Sequence, residues 1–451
     1  MKSVITLAIA LACWAMPALA KEVRPIPAGL DRIEHIVVIY LENRSFDNMY
    51  GLFPGAAGLG DAWRAPAQRD AVTGKELDEL PRVVDPRKKA PDLRFPAGLP
   101  NKPWLIDQYI SHGDKFPDLV HEFYTHQRQI NGGGNDLFAS LSDAKALSMA
   151  YHDTRDTRLW RLASQYTLAD NFFQAAFGGS FLNHMWLACA CTPVFPDAPD
   201  SNRIHLDDKG NVTRRGNVTS DGFAVNTIQP VGGPFAPGAD PATLLPVQNA
   251  PTIGDRLSEK GISWAWYSGG WDDAERGQAQ SDFQYHHQPY AYFAPYQRGH
   301  AARDQHIRDD SRLGADIANK ALPQVLFVKP RGRDNQHPGY ANLADADRYA
   351  AELVERIQAS PYWDKSVIII TYDEFGGLYD HVAPPKGDRW GPGSRIPALV
   401  ISPFAKKGFV DHTQYDTTSV LKTIEARFKL EPLGSRDKAA QPMFNALDLG
   451  R

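Results

Sequence analysis

Acidic side chains follow two strongly apolar segments of the chain, a position in which carboxylates can hold a cation. Glu42 and Asn43 come directly after the run HIVVIYL, and Asp373 and Glu374 come directly after SVIIITY. If the two runs are neighbouring parallel strands, three carboxylates meet at one sheet edge, where they resist ionisation unless a cation lies between them. Together with the Asn43 amide oxygen they predict a divalent metal ion, with its identity and number left open. The alternative is that each acid caps a helix after its strand.

A serine that follows two glycines is the candidate nucleophile. Ser180 comes directly after Gly178 and Gly179 and precedes an apolar segment, which predicts a tight turn that enters a helix. Backbone N–H groups at a helix N-terminus favour an anion. A nearby divalent cation with Ser180 among its ligands would further help the Ser180 oxygen to act as a nucleophile. The alternative is an ordinary serine that caps a helix.

Four histidines in polar segments complete the candidate site. His121, His287 and His337 are candidate catalytic residues and His286 is a candidate substrate contact, because imidazolium groups bind phosphate oxygens and can protonate a leaving alkoxide. Adjacent histidines point in different directions on a regular element, so a ligand shared by His286 and His287 requires a loop. Protonation below the reference imidazole pKa of about 6.5 predicts an acidic activity optimum. The alternative for each of them is a structural histidine.

These side chains need a sheet to bring them together. Apolar runs rich in β-branched residues, without alternation, are typical of strands covered on both faces. Helical spacing over Ala344–Ala359 and Thr417–Phe428 separates such runs, so we predict an α/β fold with a central, mostly parallel sheet flanked by helices. The predicted strands are His35–Leu41, Ile262–Tyr267, Gln324–Val328, Ser366–Tyr372 and Ile396–Ser402.

Two long segments interrupt this pattern. Residues 58–103 are rich in Pro, Arg and Asp, and residues 193–251 are rich in Asn, Asp, Gly and Pro. Both are predicted to be long surface loop insertions. They could form a cap over the site or simply decorate the surface, and we favour the cap because long loops in α/β enzymes often shape substrate access.

The N-terminus predicts export. Residues 1–20 have a basic start, an apolar run from Ile5 to Met16 and small residues before a cleavage point after Ala20, as in a signal peptide. A partial lipoprotein-type match at Cys13 is the alternative. Residues 21–451 are then predicted to be a single domain in the periplasm or outside the cell, without an integral membrane segment.

Composition narrows the function classes. The formal charge is −4, which shows no basic excess and argues against nucleic acid as a partner. Cys189 and Cys191 are too few for a disulfide framework, and their spacing allows either a small disulfide or two buried thiols. A local structural role is favoured over a redox role.

The ordered motifs of this chain resemble those of a known family. From about Ile33 to about Phe428 the chain contains ENRSFD, GGSFLNH, FQYHHQP, NQHPGY, TYDEFGGLYDHV and SRIPALVISPFAKKG. This set looks like the bacterial phosphoesterase family of phospholipases C and acid phosphatases, which resembles the alkaline phosphatase superfamily in fold. The resemblance implies an alkaline-phosphatase-like fold and a phosphoric ester hydrolase that binds metal.

The resemblance also implies roles for individual residues. Ser180 stands at the position of the nucleophile. Asn43 stands at an amide that contacts metal or phosphate. The metal acids are implied at Glu42, Asp373 and Glu374, and the histidines that line the phosphate pocket at His121, His287 and His337, with His286 beside them.

The branch of the family decides between two activities. The phospholipase C branch usually has threonine in a Pro-Thr-x-Pro-Asn-type context, whereas Ser180 in its Gly-Gly turn is similar to the acid phosphatase branch. The family's frequent Gly-x-Met-Asp segment appears here as residues 133–136, GGND. We predict a broad acid phosphatase for small phosphate monoesters. The alternatives are a phospholipase C acting on phosphodiester lipid headgroups and a non-catalytic phosphate-binding protein. The latter is disfavoured because no nucleophile or metal acid is lost.

Overall fold

The computed structural model describes residues 27–450. The predicted signal peptide, residues 1–20, and the alternative at Cys13 lie outside the described residues. Within the described part, each helix is too short or too polar to span a bilayer.

The core of the fold is an eight-stranded sheet in the order β4-β3-β5-β1-β6-β7-β2-β8. Strand β1 lies at the middle and pairs with β5 on one side and β6 on the other. Each of the seven residues of β1 is buried, because helices and loops cover both faces of the sheet. The strands are β1 His35–Leu41, β2 Thr167–Ala169, β3 Trp264–Ser268, β4 Ile307–Asp309, β5 Val325–Lys329, β6 Ser366–Tyr372, β7 Ala398–Ile401 and β8 Phe409–Asp411.

The predicted α/β class with a mostly parallel sheet is confirmed. Pairing is parallel between neighbours except at β7, which runs antiparallel to both β6 and β2. The predicted run Ile396–Ser402 is therefore a strand, but its direction is opposite to that of β6. A buried apolar run indicates a covered strand without specifying its direction. The three-residue strands β2, β4 and β8 were not predicted, because they are too short to leave a periodic pattern.

Twelve α-helices surround the sheet in the described part of the chain. The predicted helix at Ala344–Ala359 is α10, which starts one residue earlier, where the Asn342 side chain accepts a hydrogen bond from the Asp345 N–H at 2.8 Å. The helices are α1 Phe46–Tyr50, α2 Phe123–Ile130, α3 Phe138–Leu141, α4 Arg158–Gln165, α5 Ser180–Cys189, α6 Ile253–Glu259, α7 Trp271–Glu275, α8 Ala301–His306, α9 Leu313–Ala318, α10 Leu343–Gln358, α11 Thr417–Phe428 and α12 Ser435–Ala439.

The first insertion, residues 58–103, is ordered by short strand pairs and packs on a hydrophobic cluster of its own. Phe95 and Leu99 are buried in this cluster together with Phe138 and Phe375, the last of which follows β6. The insertion is thus attached to the loop that carries two of the predicted metal acids.

Five short strand pairs lie outside the main sheet in the described part of the chain. They are Glu79–Leu80 with Leu99–Pro100, Val84–Asp85 with Ala90–Pro91, Trp104–Leu105 with Ala150–Tyr151, Phe172–Phe173 with Tyr415–Asp416, and His205–Leu206 with Val212–Arg214.

The two cysteines at the end of α5 are joined. Cys189 and Cys191 form a disulfide. Of the two alternatives predicted from their spacing, a small disulfide or two buried thiols, the structure therefore has the disulfide.

Helix α11 carries a buried acid that gives a testable pH dependence. Burial, with a contribution from Asp437, raises the pKa of Glu425 from 4.5 to about 9. The folded state then keeps a proton that the unfolded state releases, so this stabilisation is present below about pH 4.5 and is lost as the pH rises towards 9. We expect Glu425→Gln, which stays neutral, to be more stable than the wild type at pH 8 and to show a flatter stability profile. Urea unfolding at several pH values measures this.

The matched control is Glu431→Gln, an exposed acid just after the same helix. A Glu425→Gln profile with the same slope as that of the wild type would show that Glu425 does not keep its proton in the folded state.

Candidate active site

The loops that follow β1, β5 and β6 are joined by backbone hydrogen bonds. The Glu42 N–H donates to the Asn335 carbonyl at 2.8 Å, and the Arg44 N–H donates to the Glu374 carbonyl at 2.9 Å. The three strands are adjacent and parallel, so their carboxyl ends meet at one sheet edge. The predicted convergence of the two acidic segments is therefore present.

The acids of these loops are fully buried. Glu42, Asp373 and Glu374 have no exposed surface. Asp373 Oδ2 and Glu374 Oε1 are buried without a hydrogen-bond partner, which is costly for a carboxylate unless a cation or a donor compensates. Burial raises the pKa of Asp373 to about 6 against the opposing charge of Lys329. The unpartnered oxygens and the resistance to ionisation both fit a divalent cation.

Asn43 links the acids to the serine. Its backbone has φ 54°, a left-handed conformation that asparagine tolerates better than most residues. Its N–H donates to Asp373 Oδ1 at 3.1 Å, and its side-chain Oδ1 accepts a hydrogen bond from Ser180 Oγ at 3.2 Å. The serine and the acidic segments therefore lie within one small buried site.

The turn that positions Ser180 depends on its two glycines. Ser180 is the first residue of α5, as the Gly-Gly turn predicts. Gly178 has φ +84°, and a Cβ there would lie 2.7 Å from the backbone of Phe123. A Cβ at Gly179 would lie 2.8 Å from His121 Cδ2. The glycines thus allow the turn to pack directly against the segment that carries His121.

His121 lies on the Glu374 side of the site. Its Nε2 is 3.8 Å from Glu374 Oε1. Although burial opposes the effect, the carboxylates of Glu374 and Asp118 raise the pKa of His121 to about 9. Of the four predicted histidines, His121 is therefore the one whose pKa is raised, since burial lowers the pKa values of the other three.

The other predicted histidines lie on the Glu42 side. His287 Nε2 is 2.5 Å from Glu42 Oε1, and His337 Nε2 is 3.6 Å from Glu42 Oε2. Burial lowers the pKa of His287 to about 4 and also lowers that of His337. The pKa values of His121 and His287 are therefore shifted in opposite directions from the reference imidazole value of about 6.5, and the acidic activity optimum stays a prediction.

His286 lies next to His184 and His287. The short helical turn Tyr285–His287 turns its ring away from that of His287, with ring centroids 4.7 Å apart and planes at 79°. Its ring instead faces His184 at 5.7 Å. The two adjacent rings thus point in different directions, as the sequence predicts for a regular element, and the ring contacts of His286 are with His184 and His287.

Two further side chains at the site were not predicted. Lys329 ends β5, and its Nζ lies 2.6 Å from Glu42 Oε1 and 3.7 Å from Asp373 Oδ2. His184 lies one turn after Ser180 on α5, with Nδ1 3.9 Å from Asp373 Oδ2. The sequence contained a signal for each of them: Lys329 follows an apolar run, and His184 comes four positions after Ser180.

The charges around Glu42 favour its ionised form. Although burial opposes the effect, His287 and Lys329 hold the pKa of Glu42 well below its usual range.

Two sets of these ligands could hold a metal ion. The oxygen-rich set predicted from sequence is Glu42, Asn43, Asp373, Glu374 and Ser180. Donor atoms of Glu42, His184 and His287 also lie within 4.8 Å of one another. The identity of an ion is not fixed by either set.

A cavity of about 530 Å³ opens beside Ser180 and His121. Its wall includes Gly179, the residue before Ser180, and a group of residues from the second insertion, residues 193–251. This insertion therefore borders the cavity beside Gly179, and a cap over the site stays a prediction. The insertion residues in the wall are Ser201, Arg215, Gly216, Asn217, Asn226 and Thr227.

Curated relatives of this chain are phospholipases C. Phospholipase C B of Mycobacterium tuberculosis is 26% identical over 442 residues, which cover 90% of this chain and 75% of the relative. The non-hemolytic phospholipase C of Burkholderia pseudomallei is 26% identical, with 93% of this chain and 59% of the relative covered. The non-specific phospholipase C1 of Arabidopsis thaliana is 25% identical, with 88% and 67% covered.

Solved structures with a similar arrangement are remote. An alkaline phosphatase superfamily protein from Vibrio parahaemolyticus superposes with a TM-score of 0.34 at 12% identity, covering 73% of each chain. The phosphonate monoester hydrolase of Agrobacterium radiobacter gives a TM-score of 0.38 at 10% identity, covering 93% of this chain and 78% of that chain. At such TM-scores the superpositions support no conclusion about this chain, and its fold class follows from its own sheet.

The model of the Phosphoesterase family matches residues 33–431. That range contains the acids, the serine and the histidines described above, and it agrees with the range over which the motifs resemble this family. The chain therefore belongs to the Phosphoesterase family, and it is a phosphoric ester hydrolase.

Proposed function

We propose that this chain hydrolyses phosphate monoesters through a phosphoserine formed at Ser180. The observation that supports this most is the contact between Ser180 Oγ and Asn43 Oδ1, at 3.2 Å, beside buried acids with unpartnered oxygens. A hydroxyl at the start of a ten-residue helix, close to a cation-binding set, has the surroundings of an activated nucleophile.

The metal ligands in this proposal are Glu42, Asn43, Asp373, Glu374 and the Ser180 oxygen. A divalent cation held there would act as a Lewis acid and would stabilise the negative charge on the phosphoryl oxygens. The Lys329 cation would hold Glu42 and Asp373 in place, since it contacts both carboxylates.

The chain's own groups account for the two proton transfers. With a cation bound, Ser180 would first release its Oγ proton to solvent, and the resulting alkoxide would attack phosphorus in line. The bond between phosphorus and the substrate alkoxide then breaks, and the leaving alkoxide takes a proton. His121 is the proposed proton donor, because it borders the cavity and its imidazole ring packs against Gly179, the residue before Ser180. Its pKa is raised to about 9, so it carries the proton that the leaving alkoxide needs. Neutral His121 then accepts a proton from the water that hydrolyses the phosphoserine. His287 and His337 orient Glu42.

The cavity wall favours a polar alcohol as the leaving group. Its charged side chains are Asp118, His121, Glu122, Asp143 and Arg215, and its larger apolar side chains are Leu119 and Val120. Acyl chains would find few apolar contacts in such a wall. For this reason we place small phosphate monoesters first, in the manner of a broad acid phosphatase.

A phospholipase C activity is the second candidate function, because relatives that match about nine tenths of this chain bear that name. The same nucleophile and cation serve either ester. A phosphodiester differs in that a second substituent on phosphorus needs room beyond the site, and the cavity of about 530 Å³ supplies space of that order.

One substrate comparison separates the two candidates. We expect the purified protein to hydrolyse p-nitrophenyl phosphate at least about tenfold faster, by kcat/KM, than p-nitrophenylphosphorylcholine, a difference of about 1.4 kcal/mol. Treatment with a chelator should abolish both activities, and adding back Mg²⁺, Ca²⁺, Mn²⁺ or Zn²⁺ one at a time should show which ion restores turnover.

The measurement is made from about pH 4 to about pH 9, because an acid phosphatase has its optimum below neutrality. Faster release from the phosphorylcholine ester would favour the second candidate. Turnover that survives complete metal removal would exclude the proposed role of the acids.

We also propose that the protein acts outside the cytoplasm. The apolar run from Ile5 to Met16 and the small residues before Lys21 support export, and so does the disulfide between Cys189 and Cys191.

A further inference from the structure

A second cluster of metal-ligand types lies on two chain segments that meet beside an open cavity. Donor atoms of Asp107, His112 and His152 lie within 4.8 Å of one another. Asp107 and His112 belong to the segment before His121, whereas His152 precedes helix α4. None of the three belongs to the proposed catalytic set.

Asp107 is the centre of this cluster. Its Oδ1 lies 2.5 Å from His152 Nδ1 and 3.7 Å from His112 Nε2. Its other oxygen, Oδ2, accepts a hydrogen bond from the Asp153 N–H at 2.7 Å, so the carboxylate is held with Oδ1 directed at both imidazoles. Such a bond to a ligand's second oxygen is the usual way in which proteins orient a metal-binding carboxylate.

The two histidines are not satisfied by hydrogen bonding alone. His112 Nε2, the atom nearest to Asp107, is buried and has no hydrogen-bond partner. The His152 side chain is 2% exposed, and its ring lies 5.5 Å from that of His112, at 72°. A buried imidazole nitrogen without a hydrogen-bond partner is energetically costly. Coordination of a metal ion would satisfy this nitrogen.

The spacing suits one ion with small adjustments. Ligands that bind at about 2.0–2.2 Å in tetrahedral geometry lie about 3.4 Å from one another. The separation of His112 and Asp107 is already close to this value, while His152 and Asp107 would move apart by about 1 Å.

An entrance and a favourable charge accompany the ligands. Asp107 and His112 line an open cavity of about 820 Å³, whose wall also contains Asp153, Arg155 and Asp156. Arg155 is paired with Asp153 at 2.5 Å, which leaves an acidic excess at the opening. Asp156 Oδ1 lies 3.5 Å from His112 Nδ1 and holds the ring of that histidine.

We propose that Asp107, His112 and His152 form a second divalent-metal site, with two imidazoles and one carboxylate suited to zinc or another borderline ion and a fourth position open to water. This donor set is softer than the oxygen-rich set at Ser180, so the two sites prefer different ions. An ion here ties the segment that leads to His121 to the start of α4 and acts as a structural link.

The test is metal content per chain. The full-length protein, its His112→Ala and Asp107→Asn variants and a control are stripped with a chelator, incubated with Zn²⁺, desalted and analysed for zinc. The control is His205→Ala, which removes an exposed histidine that also has an aspartate partner, Asp200 at 3.2 Å, but is not part of a three-residue donor group.

We expect the wild type and the His205→Ala control to retain one zinc per chain more than either His112→Ala or Asp107→Asn, with folding checked by circular dichroism. Turnover of p-nitrophenyl phosphate should stay within about twofold of the wild type in His112→Ala, which separates this site from the catalytic one. Co²⁺ absorption in the visible range should show the same loss. Equal zinc in wild type and His112→Ala would overturn the proposal, and so would a Co²⁺ spectrum unchanged by both substitutions.

Discussion

Replacement of Ser180 by alanine should lower kcat for p-nitrophenyl phosphate by at least about a thousandfold, which corresponds to about 4 kcal/mol of transition-state stabilisation. The proposed mechanism has no other hydroxyl that lies against Asn43 and the metal acids. Without Oγ, the remaining groups can only position water and phosphate, and such residual catalysis is far weaker than covalent catalysis. Initial rates over a range of substrate concentrations measure the loss.

The matched control is Ser164→Ala. Ser164 is an exposed serine of helix α4 whose Oγ donates to the Trp160 carbonyl at 3.0 Å, so its loss should leave kcat within about twofold. Rapid acid quench of the wild type during turnover, followed by peptide mass spectrometry, should find phosphate on the peptide with Ser180. Near-normal turnover by Ser180→Ala, or a quenched wild type that never carries phosphate, would contradict covalent catalysis at this residue.

Replacement of Asp373 by asparagine should lower kcat/KM by at least about a hundredfold and reduce the bound metal. Asparagine keeps the size of the side chain and an oxygen that can accept from the Asn43 and Glu374 N–H groups, as Asp373 Oδ1 does at 3.1 and 2.8 Å. What it removes is the charge of Oδ2, the buried oxygen without a hydrogen-bond partner. Since a catalytic metal ion contributes several kcal/mol, the loss should be large while the fold remains.

The control for this substitution is Asp364→Asn. Asp364 is exposed and lies at the opposite end of the same strand, just before β6. It removes one carboxylate without touching the site, so activity and metal content should match the wild type. A fully active Asp373→Asn with unchanged metal content would show that the cation is held elsewhere, with Glu42, His184 and His287 as the next candidate ligands.

The sheet edge was predictable because its two acidic segments follow long apolar strands. β1 and β6 have the bounds expected from their sequences, and the backbone bond from Arg44 to Glu374 shows how close their ends come. The serine turn was predictable because glycine accepts the positive φ found at Gly178 and lets the backbone pass close to its neighbours, as a tight turn requires. Strand direction was not predictable for β7, since a run buried on both faces looks the same in either direction.

Lys329 shows why part of the site escaped prediction. A lysine at the end of a strand normally reaches solvent, and only the pairing of β5 with β1 turns it towards Glu42 and Asp373. His184 likewise reads as part of an ordinary buried helix until α5 is placed against β1. The titration of the histidines depends on burial and on charges from distant segments, which spacing in the sequence does not report.

The second insertion borders the entrance of the site but holds none of the proposed reacting groups, all of which come from other segments. In the proposed function the insertion supplies one part of the cavity wall, and residues 118–122, which include His121, supply another part. Exchange of residues 193–251 for a loop of different composition would then alter one wall of this cavity, while the acidic groups at the ends of β1 and β6 keep their positions.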